Sequence, residues 1–358
     1  MSYVVYIGTY TRSTSMGIYV LRYDEATGAL SAPMHAAATV NPSFLAVHPN
    51  GRYLYAVNET RMLSKKPGGG VSSFAIDPDT GFLTAINRVS SHGADPCHLS
   101  PDRSGRWLFV ANYTGGNLAV FPLAEDGSLG EASQVVQHDG SSGVNPARQE
   151  APHVHSVDIS PDNRFLYVND LGLDQILVYN FDATSGMLSL HRVVSTAPGA
   201  GPRHMVFSPD GRQAYGVNEL FANVTAYQHD PGTAALEPFQ MVSSVPPSWD
   251  GLLWGAEIAM HPAGGFLWVS NRAHDSVAGF RISPEDGRLI SNGQVATQGS
   301  HPRHFALDPA GNFLHVANAD SGNVATFRIN LASGQLDPTG QLIAVPEPVC
   351  VLFVRIPG

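Results

Sequence analysis

A tight-turn phrase ending in Gly-x-Leu recurs along this chain at Gly28-Ala29-Leu30, Gly81-Phe82-Leu83, Gly127-Ser128-Leu129, Gly186-Met187-Leu188, Gly287-Arg288-Leu289 and Gly334-Gln335-Leu336, with a degenerate copy at Ala234-Ala235-Leu236. A second phrase keeps step with it. Short apolar strands end in Asn at Asn58, Asn112, Asn169, Asn218, Asn271 and Asn318, with gaps of 54, 57, 49, 53 and 47. Tyr6-Ile7-Gly8-Thr9 takes the seventh place, Gly8 standing 50 residues before Asn58. A period of about fifty residues, built of short strands between Gly, Pro, Asp and Asn, is the requirement of a four-stranded propeller blade. The spacing predicts an all-β, seven-bladed β-propeller with four antiparallel strands per blade.

A blade buries its faces only against neighbouring blades, so seven copies imply one domain over residues 1–358 rather than the two that length alone suggests. With 36 Gly and 26 Pro dispersed along the chain, no charged or low-complexity tract is long enough to be a linker. The segment Val349-Cys350-Val351-Leu352-Phe353-Val354 reads as an inner strand without a blade, and the first residues read as a blade without an inner strand. Joining the two closes the ring and removes open sheet edges.

Two cysteines, Cys97 and Cys350, argue against a disulfide framework. Met1-Ser2-Tyr3-Val4-Val5-Tyr6 shows no basic region or cleavage site, and no apolar run approaches the ~20 residues of a membrane span. The expectation is a cytoplasmic protein, a monomer or weak homo-oligomer, with no membrane partner. A formal charge of −10 argues against nucleic acid as a partner.

Antiparallel strands place the start of each inner strand and the end of the next on one face, near the axis. Six blades share an offset of 16 between those positions, as from Pro202 to Asn218. The third residue of the inner-strand phrase reads Phe44, His98, His155, His204, Glu257, His304, a recurrence that looks mainly structural. The second reads Ser43, Cys97, Val154, Arg203, Ala256, Arg303, and the residue after the strand-end Asn reads Glu59, Tyr113, Asp170, Glu219, Arg272, Ala319. These latter rings vary, as residues that carry chemistry do. His155, Arg203, Glu219 and Arg272 come from blades three to five and are expected to face one another. An imidazole or carboxylate moves protons, and guanidinium groups hold an anion and stabilise an oxyanion. A neighbouring Arg also keeps Glu219 ionised. The set suits carboxyl or lactone chemistry, with Glu219 slightly favoured over His155 as the base.

The chain resembles the seven-bladed propeller lactonases, which include the propeller type of 6-phosphogluconolactonase and the fungal carboxymuconate cyclase. Carrying the resemblance are Tyr6-Ile7-Gly8-Thr9-Tyr10-Thr11, Asn112-Tyr113-Thr114-Gly115-Gly116-Asn117, Arg148-Gln149-Glu150-Ala151-Pro152-His153-Val154-His155, Gly201-Pro202-Arg203-His204 and Val217-Asn218-Glu219-Leu220. It implies hydrolysis of an anionic sugar lactone, with His155, Arg203, Glu219 and Arg272 catalytic. Arg148, Gln149 and His153 of the long phrase, with His98, Glu257, Arg303 and His304 of the rings, are expected to bind substrate. The same four catalytic side chains suit a cyclase of unsaturated diacids, and a propeller that binds without catalysis is the rival class. No cofactor is expected. A divalent cation on Asn58-Glu59, Asn169-Asp170 and Asn218-Glu219 is the alternative, opposed by the nearby arginines and by the recurrent Asn, which reads as a backbone cap. Segments 61–70 and 246–254, the latter with Trp249 and Trp254, read as rim loops.

Overall fold

A computed structural model describes residues 2–63 and 65–356, so Ser64 of the expected 61–70 rim loop lies outside the described residues. Strands follow one another in antiparallel sheets of four, ordered from the axis outward. Blades two to six span 96–137, 154–195, 202–243, 255–296 and 302–344, and blade one runs from Leu45–Val47 through Tyr53–Asn58 and Gly70–Ile76 to Leu83–Ser90. Blade seven takes its inner strand, Pro348–Ile356, from one chain end and Ser2–Thr9, Gly17–Asp24 and Met34–Ala38 from the other, with the short Ala29–Leu30 added. Ser2 faces Ile356 and Thr9 faces Pro348, which closes the ring as the sequence predicts. No helix long and apolar enough to cross a membrane occurs among the described residues. Cys97 and Cys350 are free and buried.

The Gly-x-Leu phrase is a joint between blades. Gly28, Gly127, Gly186 and Gly334 have φ of 73–80°, and a Cβ on any of them would lie 2.3 Å from the ring of Phe313, Tyr53, Trp107 or Phe266 respectively, each on the blade before. The neighbouring ring also reaches the turn's carbonyls: Trp107 Nε1 donates to Ala183 O at 3.1 Å, and Tyr53 Oη to Glu125 O at 2.9 Å. Glycine is required twice over, for the left-handed backbone and for the aromatic lid. Gly186→Ala is expected to cost about 1–3 kcal/mol by overpacking, read as a lowered denaturation midpoint with unchanged slope.

The strand-end asparagines are buried braces. Asn112 Nδ2 donates to Ser91 O (2.9 Å) and Asn117 Oδ1 (2.8 Å), and Asn318 Nδ2 to Thr297 O (2.9 Å) and Asn323 Oδ1 (2.9 Å), tying the second strand to its neighbours. Strand pairing corrects the expected register in two blades. In blade seven Thr9, not Gly8, occupies the strand-end place, since it pairs with Pro348 as Asn218 pairs with Pro202. In blade three the strand-end place belongs to Asp170, which pairs with Val154, and not to Asn169.

That one-residue shift changes which side chains face the axis, as it must in a strand. Inner strands carry a bulge just inside the mouth, at Cys97, His155, Arg203 and Arg303 in blades two, three, four and six. His155 is therefore the counterpart of Arg203, not of the recurrent histidines. The true third ring reads Phe44, His98, Ser156, His204, Glu257, His304 and Cys350. The sequence carried a signal for this: Ser160-Pro161-Asp162 with Tyr167 aligns to Ser208-Pro209-Asp210 with Tyr215 only in the corrected register.

Candidate active site

Bulges aim the second residue of each inner strand into the mouth, and the second strands deliver the residue that follows their buried brace. With the register corrected, the two rings hold Ser43, Cys97, His155, Arg203, Ala256, Arg303 and Val349, and Tyr10, Glu59, Tyr113, Leu171, Glu219, Arg272 and Ala319. Glu219 is the hub. Arg272 Nη2 lies 2.8 Å from its Oε2, Arg203 Nε 3.2 Å from the same oxygen, and Arg148 Nη2 is bonded to Oε1. Trp254 Nε1 adds a bond to Oε1 at 3.2 Å, and His155 Nε2 stands 3.6 Å from Oε2. The four expected catalytic side chains are thus gathered around one carboxylate.

Burial opposes charge on Glu219, but Arg272, Arg148 and Arg203 outweigh it and hold the carboxyl well below the usual range. The expected ionisation follows. A carboxylate that accepts three N–H hydrogen bonds, is paired with Arg272 and resists protonation is a weak base, which weighs against the favoured role. Burial, then Arg203 and His204, push His155 well below its ordinary value, leaving a neutral imidazole. Arg272 is held by Gly255 O at 3.0 Å and lies 4.4 Å over the Trp254 ring, while its Nε has no hydrogen-bond partner.

The Arg-Gln-x-x-Pro-His-x-His phrase divides its labour. Arg148, about one-third exposed, bridges the Tyr113 hydroxyl at 3.0 Å and Glu219. Gln149 is fully buried, its amide donating to Leu171 O (2.9 Å) and Asp174 Oδ1 (2.7 Å), which places it in the scaffold that holds the loop rather than at the expected substrate surface. His153 stacks on Tyr113 at 4.5 Å and faces the exposed Glu150 at 3.3 Å.

Beneath the mouth, His98, His204, Glu257 and His304 plug the channel. His98 packs 4.2 Å from Phe44 and 5.1 Å from His204, and Glu257 Oε2 lies 3.1 Å from His204 Nδ1 and 3.3 Å from His304 Nε2. Burial lowers His98 and His204 far below the ordinary value and His304 to about 4, so these three imidazoles stay uncharged near neutrality. His98, Glu257 and His304 stand one layer below the guanidinium cluster and not within it. Arg303 belongs to the mouth, 3.7 Å from Glu59.

Asp170 is not a mouth residue. Its Oδ1 accepts from His153, Gly172 and Leu173 N–H groups and its Oδ2 pairs with His138 at 2.7 Å, so it holds the turn above blade three and has no oxygen left for a cation. Sequence reasoning passed over Tyr10, in the ring once Thr9 is recognised as the strand end, whereas Trp254, read in a rim loop able to wall the pocket, reaches Glu219. Trp249, from the same loop, packs on His274 at 4.7 Å. A cavity of about 750 Å³ opens on the opposite face between Asp158, Met205, Phe207 and Met260, away from the guanidinium cluster.

A family model described as "Lactonase, 7-bladed beta-propeller" matches residues 4–353. A 6-phosphogluconolactonase of Bacillus subtilis (strain 168) is 36% identical over 99% of both chains, and one of Formosa agariphila is 35% identical over 84% of this chain and 85% of its own. The solved structure of a periplasmic gluconolactonase of Pseudomonas aeruginosa superimposes with a TM-score of 0.94 at 37% identity over 100% of both chains. With blade count, ring closure and sequence in agreement from end to end, the chain belongs to the seven-bladed β-propeller lactonase family.

Proposed function

We propose that this protein hydrolyses 6-phosphogluconolactone, or a closely similar anionic sugar lactone, to the open acid. The observation that carries this reading is the charge of the mouth: Arg148, Arg203, Arg272 and Arg303 face only Glu59 and Glu219 within the rings, a local excess of cation on a chain of formal charge −10. The relatives named 6-phosphogluconolactonase support the choice of substrate.

Arg203 and Arg272, clamped by Glu219, present donors to the lactone carbonyl and to the oxyanion formed when water attacks it. They are pre-oriented in a buried site, where such donors act most strongly. Arg148 and Arg303, nearer the rim, hold the distal phosphate by charge-assisted bonds. Removal of one such contact is expected to cost about 1.5–3 kcal/mol, or roughly 10- to 100-fold in affinity. Arg148→Ala accordingly raises KM for the phosphorylated lactone by that factor while changing KM for unphosphorylated gluconolactone little.

The deciding assay measures enzyme-dependent lactone hydrolysis above the spontaneous rate, with phosphorylated gluconolactone, gluconolactone and carboxymuconolactone compared, each with and without chelator. Preference for the phosphorylated sugar lactone, insensitive to chelator, is expected. Preference for carboxymuconolactone, or activity abolished by chelator, contradicts the reading.

A further inference from the structure

Three carboxylates were expected at the mouth from the second strands, and only one has lone pairs to offer. Glu219 is buried under three guanidinium groups and an indole N–H. Asp170 is buried and fully engaged by backbone N–H groups and His138. Glu59 differs from both. Its side chain keeps 18% of its surface exposed, accepts one hydroxyl, from Tyr10 at 3.0 Å, and meets Arg303 only at 3.7 Å.

The backbone holds Glu59 firmly. Its N–H donates to Asn41 O at 3.0 Å and its carbonyl accepts from Asn41 Nδ2 at 3.0 Å, with Asn41 itself at φ 38°. Tyr10 is buried and fixed in turn, its N–H bonded to Glu347 O at 3.0 Å and its ring faced by Arg12 and Arg303 at 3.8 and 5.6 Å. Arg303, 3.7 Å from Glu59, occupies the same bulge position as Arg203, 3.2 Å from Glu219, so the two carboxylates serve one ring of the mouth. The mouth thus has an anchored half, built on Glu219, and an open half, built on Glu59.

We propose that Glu59 is the general base of the reaction, with Tyr10 orienting its carboxylate and the Glu219 cluster serving as the oxyanion and anion site; this rests on the lactonase reading above. Glu59 takes a proton from water as the water oxygen bonds to the lactone carbonyl carbon, and the C=O π pair moves onto oxygen beside Arg203 and Arg272. The tetrahedral adduct then re-forms C=O and breaks the ring C–O bond. The proton held by Glu59 passes to the departing ring oxygen, giving the hydroxy acid and restoring the carboxylate. Water is the sole co-reactant.

Steady-state hydrolysis of 6-phosphogluconolactone by the full chain and by Glu59→Gln and Glu59→Ala tests the assignment, with thermal melts confirming that the variants fold. Loss of general base catalysis is expected to lower kcat by about 10²–10⁴-fold, with KM within a few-fold of wild type. Added formate is expected to restore part of the rate to Glu59→Ala. A folded Glu59→Gln that keeps kcat within a few-fold, a loss confined to KM, or no formate rescue of Glu59→Ala overturns the proposal while leaving the lactonase reading intact. Inactive wild type toward every sugar lactone overturns both.

Discussion

Glu219→Ala is expected to abolish measurable lactone turnover and to destabilise the protein at the same time. Three guanidinium groups converge on this carboxylate, and Arg203 and Arg272 are themselves buried. Removing the anion leaves positive charges in a site where each partner was compensating the others, a change that typically costs about 3–5 kcal/mol. The arginines will then separate, and their aim at the carbonyl will be lost, a defect of the order of 10²–10³-fold or more in kcat when oxyanion donors are disturbed. Glu219→Gln keeps the shape but not the charge, and should fall between the two. Because the folded carboxyl is held below its unfolded value, its contribution to stability is present above the ordinary Glu range, near ~4.3, and is lost as pH falls through and below it. Urea denaturation across pH 3–7 checks this: the gap between wild type and Glu219→Gln narrows toward acid. A gap independent of pH would contradict the clamp.

Truncation before Pro348 is the second large effect. The strand Pro348–Ile356 pairs with Ser2–Thr9 along its length and buries Val349, Val351, Val354 and Ile356 almost completely. Fully burying one such side chain contributes about 1.5–3 kcal/mol, so four contribute roughly as much as the ~5–15 kcal/mol by which a typical domain is stable. The strand also seals the ring: without it, Ser2–Thr9 becomes an open inner edge, a template for pairing with other chains. The shortened protein is expected to be aggregated or unfolded, read by size-exclusion chromatography and circular dichroism. A monomeric, folded truncation would show that six blades and a fragment suffice.

Much of this was legible in the chain because a repeat is its own alignment. Six Gly-x-Leu turns, a degenerate seventh and a recurrent Asn reveal the blade, and the difference between constant and varied positions separates brace from chemistry. What the sequence hid was register. A strand end occupied by Asp170 in place of Asn, and by Thr9 in place of Asn, moved two blades by one residue and placed His155 among the scaffold histidines, where the bulge shows it beside Arg203. Charge balance was hidden as well. Arg148 arrives from a loop of no fixed period, and only its bond to Glu219, with those of Arg203 and Arg272, turns a plausible base into an anchor. Trp254 was assigned to a loop, yet its indole completes the same hub. Period predicts which residues share a face; it says nothing about which of them will neutralise each other.

A structure of the protein with 6-phosphogluconate bound is the most direct measurement of the whole account. The product is expected in the mouth of blades three to six, its new carboxylate against Arg203 and Arg272, its phosphate against Arg148 and Arg303, and Glu59 beside the carboxyl oxygen that water supplied. Product seated instead in the cavity beside Asp158 and Met205, or in the mouth with its phosphate turned away from the arginines, would contradict it.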